Sequence, residues 1–499
     1  MNKQFTIKGL PNDLLTNEIV NERKLKTESE PSAPTRAAYG ELLVAELTPR
    51  TQITAQYGFT ESIFTATLGG TVTNLNSMFQ ANSGTGSTNV SAVQSSEQVP
   101  YKAGQGLVAA FSAVFGDPMP DNIQVSGFIN AESLIGFGYK DGVFGVIFAS
   151  GGKLEIQELT ITTGAGGAES ATINIDGNPY AVPLTNIGIA GNAYEIATSL
   201  NAQVQGYDFT SNGATVECLG LLPELGAGLF SFSSSSAVGA FVELEESQLA
   251  IETLIAKDDW NVNPNIDLNP LLGNIYKVQY RYLGFGNISF FVGNPVTGVY
   301  ELVHIIQYAN KNTVPSVSNP IFRVGWATRN TGNTTNVTVS GGSAGIFVEG
   351  MYSIHGQPDG ECHTQNISSG VITNILSIRN RMIFNNKPNR AALFLEDLSI
   401  ATESAKITTF YIYREAVPQG FFTWFYENES SRIAEIATDN VPIIGGNIVA
   451  CYSIRSELIA NLLKVVEDLR PQESITIAAI FASGASSDVS ASASFIEDL

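Results

Sequence analysis

Apolar residues in this chain recur mostly at every second position, in short runs broken by Gly, Asn, Ser and Thr. From residue 41, ELLVAELTPRTQITAQYGF alternates in this way, which is the period of a half-buried strand. GLVAAFSAVF (106–115), NIQVSGFI (122–129), SLIGFGYKDGVFGVIFAS (133–150) and KLEIQELTIT (153–162) continue the pattern. KDG at 140–142 separates two apolar runs and predicts a hairpin, because Asp-Gly readily takes positive φ. SGTGSTNVSAVQSS (83–96) reads as a polar loop. In IYKVQYRYLGFG, Tyr276, Val278, Tyr280 and Tyr282 fall on one face and Lys277, Gln279 and Arg281 on the other. That predicts a half-exposed antiparallel strand. NISFFV (287–292) and VYELVHIIQY (299–308) follow across GNPVTG, and the second run puts Tyr300, Leu302, His304, Ile306 and Tyr308 on one side.

Two segments break the period. AGNAYEIATSLNAQV (190–204) spaces Tyr194, Ile196, Ala197, Leu200 and Val204 helically, with Asn192 as candidate cap. SELIANLLKVVEDL (456–469) spaces Leu458, Leu462, Val465, Val466 and Leu469 similarly and predicts a second short helix. The expected fold class is therefore mainly β: an antiparallel jelly-roll sandwich with a small inserted α+β module and a C-terminal β-rich domain. The division is 1–40 as an N-terminal arm or linker and 41–162 with 247–350 as a discontinuous sandwich. Residues 163–246 form the inserted module and 365–499 the C-terminal domain. The arm, with NERKLKTESEPSAPTR, has almost no apolar period. It reads either as a segment that docks on another subunit or as a frayed terminus.

The charge changes the picture of partners. Asp and Glu total 47 against 26 Lys and Arg, a net charge of −21 in a chain only 15% charged and 43% apolar. Disordered chains are poorer in apolar residues, and nucleic-acid binders need a basic face, so neither class fits. No apolar run reaches the roughly 18 residues of a membrane span, and MNKQFTIKGLPNDLLTNEIVNERKL lacks the apolar stretch of a signal peptide. Cys218, Cys362 and Cys451 are far apart and odd in number, which suits reduced thiols and synthesis in a cytoplasm.

Candidate chemistry is sparse. The three histidines are His304, His355 and His363. HGQPDGECH (355–363) brings His355, Asp359 and His363 close in sequence, together with Glu361 and Cys362. Imidazole and carboxylate are metal-ligand types, but the spacing matches no established zinc pattern, so an exposed turn is the competing reading. His304 reads as a hydrogen-bonded packing residue. No nucleophile elbow or phosphate loop is present. A glycosidase needs only two facing carboxylates, and nothing singles out such a pair. No catalytic residue and no cofactor are assigned. Strand-face aromatics, Tyr276, Tyr280, Tyr282 and Trp326, admit two readings: rings that stack on a glycan or fill a subunit interface, or sandwich core.

YLGFGNISFFVGNPVTGVYELVHIIQYANKNTVPSVSNPIFRVGWATRNTGNTTNVTVSGGSAGIFVEG (282–350) resembles a segment of structural proteins of tailed bacteriophages and some other large DNA viruses. SLIGFGYKDGVFGVIFASGGKLEIQELTIT (133–162) looks like its upstream partner. TINIDGNPYAVPL with NAYEIATSLN, and LSIRNRMIFNNKPNR (376–390), resemble modules of such proteins. The group is similar to concanavalin-like jelly rolls, which implies a two-sheet fold and no catalytic residues. The expectation is a non-enzymatic virion protein, made in a host cytoplasm and acting on the particle exterior as decoration, fibre or tail component. Its partners would be its own copies, with a trimer as the candidate oligomer, and other virion proteins met through the arm. A carbohydrate-binding adhesin for host surface glycan is the second reading, and a polysaccharide-degrading enzyme the third.

Overall fold

The computed structural model describes residues 47–186, 188–221, 230–350, 356–403, 407–425, 432–461, 468–481 and 486–498. The arm at 1–40 and His355 lie outside them. The chain is mainly antiparallel β. Its centre is a two-sheet sandwich. One sheet has six strands, in the order 47–54, 343–349, 107–113, 274–280, 288–293, 300–306. The other has seven, in the order 251–256, 143–150, 134–140, 122–129, 323–330, 90–95, 63–68. Alternate residues from both sheets meet in one core built around Trp326, Tyr276, Tyr280, Phe128, Phe137 and Phe290. Trp326 also ties the sheets directly, donating its indole N–H to Ser112 O at 2.8 Å. The predicted hairpin forms, with Asp141 at φ 51° and Gly142 at φ 81° joining Leu134–Lys140 to Val143–Ser150.

Val90–Ser95 is a strand, not the polar loop its Ser and Gly content predicts. It pairs with Ile63–Leu68 on one side and Arg323–Asn330 on the other and is buried along its length. Small residues are needed there because both faces are covered. Val303 is an extra residue in the strand Tyr300–Ile306: Phe290 faces His304 while Phe291 faces Leu302. This bulge breaks strict alternation, so Val303 and His304 are both buried.

The seven-stranded sheet is strongly curved, with its outer face concave. Gly127, Gly136, Gly138, Gly145 and Gly325 all point to that face, and a Cβ on any of them would collide with a carbonyl oxygen of the neighbouring strand. The curvature folds the sheet's corners together: Glu252 on the edge strand reaches Arg329, four strands away, at 2.6 Å.

The inserted module starts earlier than the sequence pattern suggests. Ile156–Thr163 pairs with Thr215–Gly220 and Val238–Glu245, so this strand belongs to the module's four-stranded sheet. A three-stranded sheet and the helix Ile189–Gln203 complete it. The helix buries Ala193, Ile196, Ala197 and Leu200, the spacing of one face. Asn192 is not its cap. Gly188 is, and Asn192 lies buried in the first turn, accepting the Ala165 N–H at 2.8 Å.

The C-terminal domain is a second sandwich of four and five strands, in the orders 357–368, 486–498, 392–402, 457–461 and 434–437, 373–380, 474–481, 408–418, 443–454. The predicted helix at 456–469 is contradicted at its start: Glu457–Asn461 is a strand paired with Ala392–Thr402. Its alternating Leu458 and Ile459 serve a sheet edge, with Leu458 packed inward and Ile459 exposed. Residues 462–467 lie outside the described set.

Candidate functional site

The structure disperses the sequence candidates. Tyr276, Tyr280 and Trp326 have no exposed surface, so they are sandwich core and cannot stack on a sugar or a neighbouring subunit. Period two identified their shared face correctly, but that face points inward. Tyr282 lies just past the strand's end, half-buried, donating to Val317 O at 2.8 Å. Lys277 and Gln279 occupy the opposite face, and Gln279 is buried there against Glu349. Lys277 sits over the Phe291 and Tyr300 rings, and burial pulls its ammonium down to about 8.

The metal candidates separate for a geometric reason. Gln357–Ser368 is a strand, not a turn. Asp359 and His363 share a face but lie four residues apart, about 13 Å at the rise of an extended chain. Asp359 pairs with Arg432 Nε at 2.6 Å, and His363 Nε2 bonds Gln365 Oε1 at 2.9 Å. Among the described residues no three His, Cys, Asp or Glu side chains gather around one point. His304 is buried, accepts the Asn261 N–H on Nδ1 at 3.2 Å, and is pushed by burial down to about 4. It is a neutral acceptor at pH 7, not a poised base.

Two features carry functional geometry instead. The first is a cleft of about 490 Å³ above the concave sheet, roofed by the inserted module and the C-terminal domain. Ile129, Leu134, Ala149, Leu154 and Leu219 give it an apolar floor and wall. Arginines from three distant segments line it, Arg323 of the concave sheet and Arg390 and Arg470 of the C-terminal domain, together with carboxylates such as Glu97, Asp208 and Glu473. Arg323 lies over the Phe64 ring at 4.2 Å and donates to the carbonyls of Ser95, at 2.8 Å, and Ser96. Among the described residues it has no carboxylate at ion-pair distance. Burial, and then the charges of Arg470 and Arg390, lower its guanidinium to about 9. Arg390 stands 3.2 Å from Glu132, and Arg470 donates to Ser96 Oγ at 2.9 Å. These arginines lie too far apart in sequence for any local pattern to join them.

The second is an open side of the C-terminal sandwich. Ile443–Ile454 (IIGGNIVACYSI) is an edge strand of twelve residues without one charge. Ile444 and Ile448 are 67% and 55% exposed. Glu457–Asn461 edges the other sheet, with Ile459 exposed. Natural edges are normally guarded by charge, proline or a bulge. Here Gly446, at φ 119°, and register shifts that reach Val449 leave only Ala450–Ile454 regularly paired.

Together these define a multi-domain antiparallel β-sandwich chain with an interdomain cleft and an uncharged edge strand that has no second strand neighbour among the described residues. No known family matches it, and no curated protein matches it. Among solved structures it is similar to the lectin from Bauhinia forficata in complex with GalNAc, at 11% identity and TM-score 0.23, over 60% of this chain and 97% of that one. It is similar to the botulinum neurotoxin serotype C1 binding domain at 7% identity and TM-score 0.25, over 88% and 94%. It is also similar to a chain of the Sulfolobus Turreted Icosahedral Virus structure at 11% identity and TM-score 0.17, over 91% and 100%. Likenesses this slight identify neither a ligand nor a partner.

Proposed function

We propose that this chain is a non-enzymatic structural protein that assembles with its own copies on the exterior of a virion. The observation that carries the reading is the edge strand Ile443–Ile454. A net charge of −21 opposes self-association at any acidic surface. A twelve-residue uncharged edge with protruding isoleucines is where copies can meet, because main-chain N–H and C=O groups there need partners and no like charges face each other. The acidic exterior suits a surface that does not contact packaged nucleic acid. The resemblance of 133–162 and 282–350 to virion proteins agrees with this placement.

Pairing of this strand with its own copy creates a two-fold axis, whereas pairing with a different edge closes a ring such as a trimer. Sedimentation velocity on the full chain tests the proposal. It should give a discrete oligomer well above the 53.2 kDa of one chain. A strict monomer at tens of micromolar would overturn it. The glycan reading has lost its sequence basis, since three of its four rings are core.

A further inference from the structure

We infer that the interdomain cleft is a binding site for a small organic anion, its carboxylate, sulfate or phosphate group held by Arg323, Arg390 and Arg470 and its body lying on the apolar floor. This is independent of the assembly proposal.

Three guanidinium groups lie near one another in a cleft that carboxylates also line, and of the three only Arg323 has no carboxylate at ion-pair distance among the described residues. Arg390 is paired with Glu132 at 3.2 Å, and Arg470 shares Glu473, at 4.0 Å, with Arg414, which holds it at 2.6 Å. Arg323 is left with carbonyl partners only, and those cancel no charge. Burying a cation beside two others is unfavourable unless an anion joins them. Donors are also left over. Arg470 Nε is buried without an acceptor among the described residues, and so is the Ser133 hydroxyl on the same wall. Planar guanidinium forks suit oxyanions, and the volume lies within the usual range of small-molecule sites.

The alternative is that the arginines only clamp the domains together. The two roles separate experimentally. Isothermal titration of the full chain would use glucuronate, N-acetylneuraminate, glucose 6-phosphate and citrate, with glucose and inorganic phosphate as references, at matched ionic strength. At least one organic anion should bind with a Kd below about 1 mM, more tightly than glucose or inorganic phosphate. Arg470→Gln, whose side chain is partly exposed and so tolerant of change, should weaken it about tenfold. Arg455→Gln, on an exposed position outside the cleft, should not. Three outcomes would each overturn the inference: no organic anion bound, inorganic phosphate bound as well as the best of them, or Arg470→Gln lowering thermal stability while leaving affinity unchanged.

Discussion

Asn212 of the inserted module donates its side-chain amide to Glu435 of the C-terminal domain at 2.7 Å, across 223 residues of sequence. The same carboxylate accepts Arg379 Nε at 2.6 Å, and Arg379 in turn bonds Ser211 O at 3.0 Å and lies over Trp424. A second carboxyl, Glu217, is buried beside this pair. Burial, and then the Glu435 charge, push it up to about 8 against the partial relief of Arg381 and Arg379. Glu217 is therefore protonated when folded and ionised when unfolded at neutral pH. An acid with a raised folded pKa contributes stability below its unfolded pKa, near 4.5, and loses it as pH rises towards about 8. Glu217→Gln, which mimics the protonated form, should raise stability at pH 8 by up to about 4 kcal/mol and leave it nearly unchanged at pH 4.5. Urea unfolding at both pH values checks this. Asn212→Ala should cost about 2 kcal/mol at any pH, as for a lost bond to a charged acceptor.

His304 gives the opposite sign. Its folded pKa is lowered to about 4 by burial, from an ordinary 6.5. The stability it contributes is complete above 6.5 and declines as pH falls towards 4. His304→Leu should flatten that acid limb by up to about 3 kcal/mol, while adding a pH-independent loss because the Asn261 N–H loses its acceptor. Thermal unfolding between pH 7 and pH 4 measures both effects.

Gly341 is what admits Trp326. A Cβ at this position would overlap the indole nitrogen that bonds Ser112 O. Gly341→Ala should therefore push the ring out of place and cost about 2–3 kcal/mol, as overpacking does. Red-shifted tryptophan fluorescence in the folded protein should accompany the loss. The same loss without a spectral change would mean that the ring had not moved.

Period-two alternation made most of the fold legible. It found the core face of 274–280, while Asp-Gly marked the hairpin at Asp141 and Gly142 and helical spacing gave the helix within a residue of its observed bounds. It failed where alternation is not the governing rule. Val90–Ser95 is covered on both faces, so its serines carry no outward signal. Glu457–Asn461 fits either period over five residues. The site was less legible still. Strand-face aromatics show which residues share a side, not whether that side is inner or outer. Arg323, Arg390 and Arg470 meet only because the C-terminal domain folds onto the curved sheet, which no local pattern encodes.

The thiols report on burial. Cys218 is buried in the module core, and desolvation pushes its thiol up, while Cys362 and Cys451 are exposed. A native maleimide titration should label two thiols promptly and the third only on unfolding. Cys451 lies on the edge strand Ile443–Ile454. If copies meet there, its labelling should slow with rising protein concentration while that of Cys362 stays constant.

Ile448→Lys tests the edge most directly. Residue 448 is exposed in a single chain, so a lysine there costs the monomer little, within about 0.5 kcal/mol for a surface change. In an assembly through this strand the ammonium would be buried against apolar neighbours, a position where a lone charge is strongly unfavourable. The variant should therefore keep the thermal stability of the monomer and its far-ultraviolet spectrum while sedimenting as a single chain. A negatively charged partner face would give the reverse, with lysine strengthening association, so Ile448→Glu serves as the matched control. Loss of assembly with both substitutions identifies an apolar contact between copies. Unchanged assembly with both would move the interface away from this edge.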